Sequence, residues 1–461
     1  VGSEMCIRDR RSYKDIPAQS TLSGFASSRL RKGLGSMGLM LEAGVRVSNM
    51  FVDRKQSGGI SHFLVAEPRV NATLNLLDSR NNPVFDLLAL TGGFGISNKM
   101  PTLMYLYPDY AYFDNASLSK YGTETKDRLG LITTDVVKNT ANPDLRPARS
   151  TKWEAGLSFR INRIKGFATF FHESHRHELG FTSQLIWQNY DKYTVPATAT
   201  DPVFDAASGD VTYRVDGTEH TALRTKTTEM YTWSRAANST TTHKHGIEYG
   251  LDFGEIKPLH TSLNISGAWF HIKRKNENMP LNYIYSSFDY VGVLPSGGGN
   301  LRDRFNSTFR LITHIPAIKM VFTTSVQVVW YESTQTIYED ENGNSRYYLK
   351  SYEDKDYLVV DPMGYYDKQG HYTAWSPADA DDADKSRIMY RTQPYLYEKD
   401  VIKPWALLSF RFTKEIGRVA ELSVIANNFT NTKKWHTNPH SLAKTQLYPD
   451  MYFGAELKLK L

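Results

Sequence analysis

Cysteine is nearly absent from this chain of 461 residues, Cys6 being the single one. A disulfide framework and a thiolate metal centre are thereby excluded. Long apolar runs are missing too: no uncharged stretch approaches the roughly 18 residues that a membrane-crossing helix needs. A crossing strand is not excluded, because its apolar residues occupy only every second position. No Walker A loop, dinucleotide fingerprint or G-x-S-x-G elbow occurs, and nothing else points to catalytic residues or a cofactor. Charge is nearly balanced, with 55 Lys and Arg against 49 Asp and Glu for a net +6. No basic stripe interleaved with aromatics appears, so nucleic acid is discounted as a partner. The slight positive excess suits solvated loops or contact with anionic lipid headgroups. There is also no initiator Met, and Val1–Arg10 lacks the basic start and apolar course of a signal peptide. That decapeptide resembles translated adaptor sequence, so residues 1–10, Cys6 included, are set aside as a non-native artefact.

What is present is alternation. Strand-like segments come in pairs joined by short turns: Leu22–Leu30 with Met37–Phe51, Phe63–Leu77 with Val84–Gly95, and Thr151–Arg160 with Gly166–His172. Gly246–Gly254 pairs with Leu259–His271, Arg304–Ile312 with Lys319–Tyr331, and Trp405–Thr413 with Val419–Asn427; Met451–Leu461 follows alone. Between the pairs lie long connections, near 96–149, 173–245, 272–303, 332–403 and 428–449. Trp153, Ala155, Leu157 and Phe159 fall on one face, and Lys152, Glu154, Ser158 and Arg160 on the other. Ile247, Leu251 and Phe253 likewise oppose Glu248 and Asp252. Short turns on one edge, long loops on the other, and one apolar face against one charged face imply an all-β fold, a transmembrane antiparallel barrel. The turns are then periplasmic and the loops extracellular, in the outer membrane of a Gram-negative bacterium, with the C-terminus in the periplasm.

Aromatic residues make up 13% of the chain, with 28 Tyr, 22 Phe and 8 Trp. Tyr107, Trp269, Trp330, Tyr331, Trp405 and Tyr452 stand near strand ends, where interfacial girdles lie. The strand count is about thirteen, an odd number, whereas bacterial single-chain barrels are even. Residues 11–461 are therefore expected to be the C-terminal portion of a barrel truncated at its N-terminal side.

Three stretches resemble one family. Asn142-Pro143-Asp144-Leu145-Arg146-Pro147, before Trp153-Glu154-Ala155-Gly156, is similar to the N-P-x-L-x-P-E loop and Y-E-x-G strand of TonB-dependent outer-membrane receptors. Ala148 stands where Glu is usual, and Trp153 replaces Tyr. Gly93–Leu103 with Leu106-Tyr107-Pro108 resembles the family's R-A-P-S-L and E-L-Y elements. Asn427-Asn428-Phe429-Thr430-Asn431 resembles its N-L-F-N element, although the chain ends in Leu461 rather than an aromatic residue. The resemblance implies a barrel of about 22 strands closed by an N-terminal plug, with about nine strands and the plug upstream. It also implies import of a scarce ligand (siderophore, glycan, peptide or similar) energised by the inner-membrane TonB complex. The Tyr-rich loops look like Bacteroidetes-type members, which adds a surface lipoprotein as a partner. Rival readings are a passive porin, an outer-membrane barrel enzyme and a secreted β-rich binding protein.

Local chemistry is sparse. His172-Glu173-Ser174-His175-Arg176-His177 is not the zincin motif. On a regular strand His175 and His177 share a face and His172 points away; a hydrated strand end is the commoner reading. His243 and His245 repeat the spacing. Asp379–Asp384 lacks the EF-hand glycine and bidentate Glu, leaving a loose calcium site or a solvated acidic loop. Gly297-Gly298-Gly299 reads as a flexible linker. Tyr338, Tyr347, Tyr348, Tyr352, Tyr357, Tyr365, Tyr366, Tyr372 and Trp375 crowd one loop, either to meet a ligand or to pack its own core. No catalytic, cofactor, metal or ligand-binding residue is assigned.

Overall fold

The computed structural model describes residues 11–80, 82–353, 355–447 and 450–459. Residues 1–10, with Cys6, and Lys460 and Leu461 of the expected last strand lie outside them. Alternating polar and apolar residues make strands that bury neither face fully, and these pair in chain order into one antiparallel sheet. Its strands are β1 Ser20–Leu34, β2 Met37–Phe51, β3 His62–Asp78, β4 Leu87–Lys99, β5 Ala148–Ile161, β6 Ile164–Thr194 and β7 Leu223–Ile256. They continue with β8 Thr261–Asn276, β9 Gly298–Ile315, β10 Met320–Tyr338, β11 Trp405–Ile416, β12 Ala420–Asn427 and β13 Tyr452–Leu459. The short segment Asp400–Ile402 also pairs with β10 as a fourteenth member. Each strand pairs with its neighbour in sequence, the meander of a barrel wall. Among the described residues no pairing joins β1 to β13.

Turn chemistry separates the two edges. β1–β2 and β11–β12 turn through Gly35 and Gly417, both at positive φ where a side chain would be strained. β7–β8 and β9–β10 turn through single 3-10 turns that contain Pro258 and Pro316. The opposite edge carries connections 52–61, 100–147, 195–222, 277–297, 339–404 and 428–451.

The largest departure from expectation is the span 173–245. Most of it is strand: β6 has 31 residues and β7 has 34, paired as far as Thr194 and Leu223. At roughly 3.3 Å per residue each runs about 100 Å, far beyond the ~25 Å apolar band of a barrel. The distal part satisfies its backbone hydrogen bonds within the hairpin and continues without lipid. The sequence pattern missed it because stretches of β7 such as Glu229–Met230, Ala236–Ala237 and Ser239–Thr240 are buried on both faces, which removes the alternation. The other loops are trimmed less: β8 continues to Asn276, β9 opens at Gly298 and β10 continues to Tyr338. Gly297-Gly298-Gly299 is therefore not a linker. It opens β9, where a Cβ on Gly299 would strike the carbonyl of Arg274.

The two faces divide as the alternation requires. Leu90, Phe94, Trp153, Leu157, Phe170 and Ile247 are large, apolar and exposed on the outer face. The inner face holds Lys152 and Glu154 at 2.9 Å, Arg302 and Glu332 at 2.7 Å, and Arg411 and Glu456 at 2.8 Å. Gly156 lies on that face between Thr91 and Thr169, whose hydroxyls would stand 2.7 and 2.8 Å from an added Cβ. Apolar packing outside the wall is confined to small clusters under the long connections. One joins Leu118, Tyr193, Val211 and Ala222; others join Tyr338, Leu358, Val360 and Tyr397, and Phe288, Tyr365 and Ile388. Tyr107 belongs to such a cluster with Met50, Phe63 and Leu106 rather than to an interfacial girdle. Its hydroxyl accepts the Asp53 N–H at 2.8 Å.

Candidate functional site

At the loop edge, on the inner side of the wall, lies a cavity of about 730 Å³. β6 contributes Phe181, β8 Arg274 and Asn276, and β9 Asn300, while Tyr390 and Tyr397 come from the connection 339–404. The even residues of β8 and β9 reach this space because Phe270 and Arg304, on the same registers, face the lumen. Arg274 makes no ion pair among the described residues, so the cavity offers one uncompensated cation among amides, hydroxyls and apolar side chains such as Phe181 and Leu281. Such a lining suits a polar ligand, neutral or anionic.

The distal β6–β7 hairpin stands beside this cavity and ties the connections together. Buried Glu229 is its hub. Tyr190 donates to Glu229 Oε1 at 2.8 Å, and the Tyr231 hydroxyl lies 2.7 Å from both Glu229 Oε2 and Asn115 Oδ1. Burial pushes the Glu229 carboxyl up, but hydrogen bonds from Tyr231, Ser286 and Tyr190 outweigh it and hold the group below its ordinary value. Ser286 also accepts the Met230 N–H at 2.9 Å, and Trp187 Nε1 donates to the Asp367 carbonyl at 2.8 Å. Three connections are thus fastened to one hairpin. The segment Asn142–Arg146 docks lower on it: Asn142 Nδ2 donates to the Ala236 carbonyl at 2.8 Å, and the Arg146 N–H to Asn238 Oδ1 at 2.9 Å.

Residues 9–196 match the family model described as "TonB dependent receptor-like, beta-barrel". Over those residues the sheet is similar to a TonB-dependent receptor-like barrel. No curated protein matches the chain. Among solved structures, the siderophore receptor PirA from Acinetobacter baumannii is 11% identical, with 95% of this chain covered and a TM-score of 0.39. The chain spans 54% of that protein. The copper transporter OprC is 10% identical, with 95% of this chain and 72% of that one covered and a TM-score of 0.26. The ferric-catecholate import receptor Fiu from E. coli is 9% identical, with 96% and 81% covered and a TM-score of 0.21.

On this wall the residues singled out from sequence fall as follows. His175 faces inward and meets Glu173 at 3.1 Å. His177 does not share its face in a regular ladder, because it sits at positive φ where the β6–β7 register shifts. His172 points outward, as expected, beside Trp153 at 5.8 Å between ring centres. Cross-strand pairing then adds what spacing could not: His243 and His245 stack on His172 at 6.2 and 6.4 Å, and His271 lies 4.8 Å from His245. Among the described residues no three His, Cys, Asp or Glu side chains gather closely enough to hold a metal ion.

In Asp379–Asp384 two of the carboxylates serve the loop itself. Asp379 accepts the Ser376 N–H at 2.9 Å and Lys385 Nζ at 2.7 Å, and Asp382 accepts the N–H groups of Asp384 and Lys385. The Lys385 hydrogen bond is the chief reason that the Asp379 carboxyl stays below its ordinary value. In the Tyr-rich connection Tyr338 and Tyr365 are buried in its own clusters, while Tyr348 and Tyr372 are exposed. Tyr390 and Tyr397, which sequence reasoning did not single out, are the tyrosines that reach the cavity with Tyr338.

Proposed function

We propose that the protein works in the outer membrane of a Gram-negative bacterium, importing a scarce ligand with energy from the inner-membrane TonB complex. The observation that carries this reading is the match of residues 9–196 to the TonB-dependent receptor-like barrel. In this reading the long connections are extracellular, the turns and the C-terminus are periplasmic, and residues 11–461 form the C-terminal portion of the barrel. The ligand, a siderophore, glycan, peptide or similar polar molecule, meets the cavity around Arg274, Asn276 and Asn300 first. Partners are outer-membrane lipid, the protein's own plug domain, the TonB complex and a surface lipoprotein. No catalytic chemistry is assigned to the wall. Lys152, Glu154, Arg160, Glu248 and Asp252 line the lumen and can pair with a folded plug.

The test is uptake by cells making the full-length protein, with and without a protonophore or the coupling protein. Saturable uptake that stops when either is removed is expected. Unsaturable uptake indifferent to both would replace this reading with that of a passive porin.

A further inference from the structure

Arg149 of β5 and Arg176 of β6 are direct cross-strand partners, and both are exposed. Like charges placed opposite each other destabilise a sheet, and neither guanidinium has an ion pair among the described residues. They line an outward pocket of about 450 Å³ with Thr151, Trp153, His172 and His177. The carboxylates along the neighbouring histidine row are already engaged: Asp303 lies 2.8 Å from His271 and 3.7 Å from Lys399, and Glu277 accepts from Thr241. Below the pocket, exposed Trp153 and Phe170 pack at 5.4 Å, as aromatic side chains do at the edge of an apolar band. Arg149 lies four residues beyond Trp153, about 13 Å along the strand. At that height on the outer face the neighbouring molecules are lipid headgroups, and two adjacent guanidiniums match the oxygens of a phosphate.

We propose that this pocket binds the phosphorylated headgroup of an outer-leaflet glycolipid, the phosphate seated between Arg149 and Arg176 with the His172 row beside it. The inference rests on the reading of the sheet as an outer-membrane wall. The phosphate comes from lipid rather than from solution because the pocket opens away from the lumen, directly above the aromatic edge.

The full-length protein is placed in phosphatidylcholine nanodiscs with or without a diphosphorylated glycolipid, and its thermal unfolding is compared with that of the R149Q/R176Q variant. The glycolipid should raise the melting temperature of the parent and leave the variant unmoved, and about tenfold less glycolipid should be retained by the variant. In phosphatidylcholine alone the variant should melt no lower than the parent, since a repulsion has been removed. Equal gains in both proteins would overturn the site, as would a gain reproduced by inorganic phosphate. A variant much less stable in phosphatidylcholine alone would make the pair structural and also overturn it. A protein that stays monomeric in water without detergent would overturn the membrane reading and this site together.

Discussion

Leu157 and Ser158 are adjacent in the chain and meet different surroundings, because the strand period is two. Arg in place of Leu157 should cost about 2–4 kcal/mol near the middle of the apolar band, whereas Arg at Ser158 should be tolerated. Urea unfolding from lipid vesicles measures both, and equal damage on the two faces would contradict the lipid assignment. Asp379 makes a residue-scale prediction of another kind. Its folded carboxyl titrates below its ordinary value, chiefly through the Lys385 hydrogen bond. The contribution of this contact to loop order is therefore full above the ordinary carboxylate range and is lost as the pH falls through the depressed value. Lys385, raised by the same hydrogen bond, keeps its charge throughout that acid window. Proteolysis of the 377–388 segment should rise at acid pH in the parent, whereas K385M should be cut faster at neutral pH and show a smaller rise on acidification.

At the scale of elements, the β6–β7 hairpin holds the loops in place. Its distal half lacks a core of its own and is stabilised by what docks on it through Glu229, Trp187 and Asn238. E229A leaves the Tyr190 and Tyr231 hydroxyls without their carboxylate, a loss of about 2–3 kcal/mol for hydrogen bonds to a charged group. Hydrogen exchange should quicken in Ala111–Lys120 and around Ser286 while the wall strands β1 to β5 stay protected. Unchanged exchange at Ser286 would show that the connections are held by other contacts.

For the whole molecule the prediction concerns sidedness. The turn between β11 and β12 and the connection holding Asp381 lie at opposite edges of the sheet. An epitope inserted in Lys414–Arg418 should be hidden on intact cells, and one beside Asp381 should be accessible. Antibody reaching the turn without permeabilisation would invert the orientation proposed above.

The wall was legible in the sequence because each strand repeats the same local demand: apolar on the outer face, polar on the inner, at period two. Residues 152–160 and 246–254 carried that demand plainly, and their faces were assigned correctly from the alternation. Gly35 and Gly417 sit at positive φ in their turns, a local demand that no distant segment sets. Tertiary structure decided whatever depended on register between strands or on docking of distant segments. The 34 residues of β7 lose their alternation where both faces are buried, so the hairpin looked like a loop. The arginine pair, the histidine row and the Arg274 cavity come from separate strands. Their spacing in sequence carries no trace of their contact, since only the hydrogen-bonded ladder sets which residue lies opposite which.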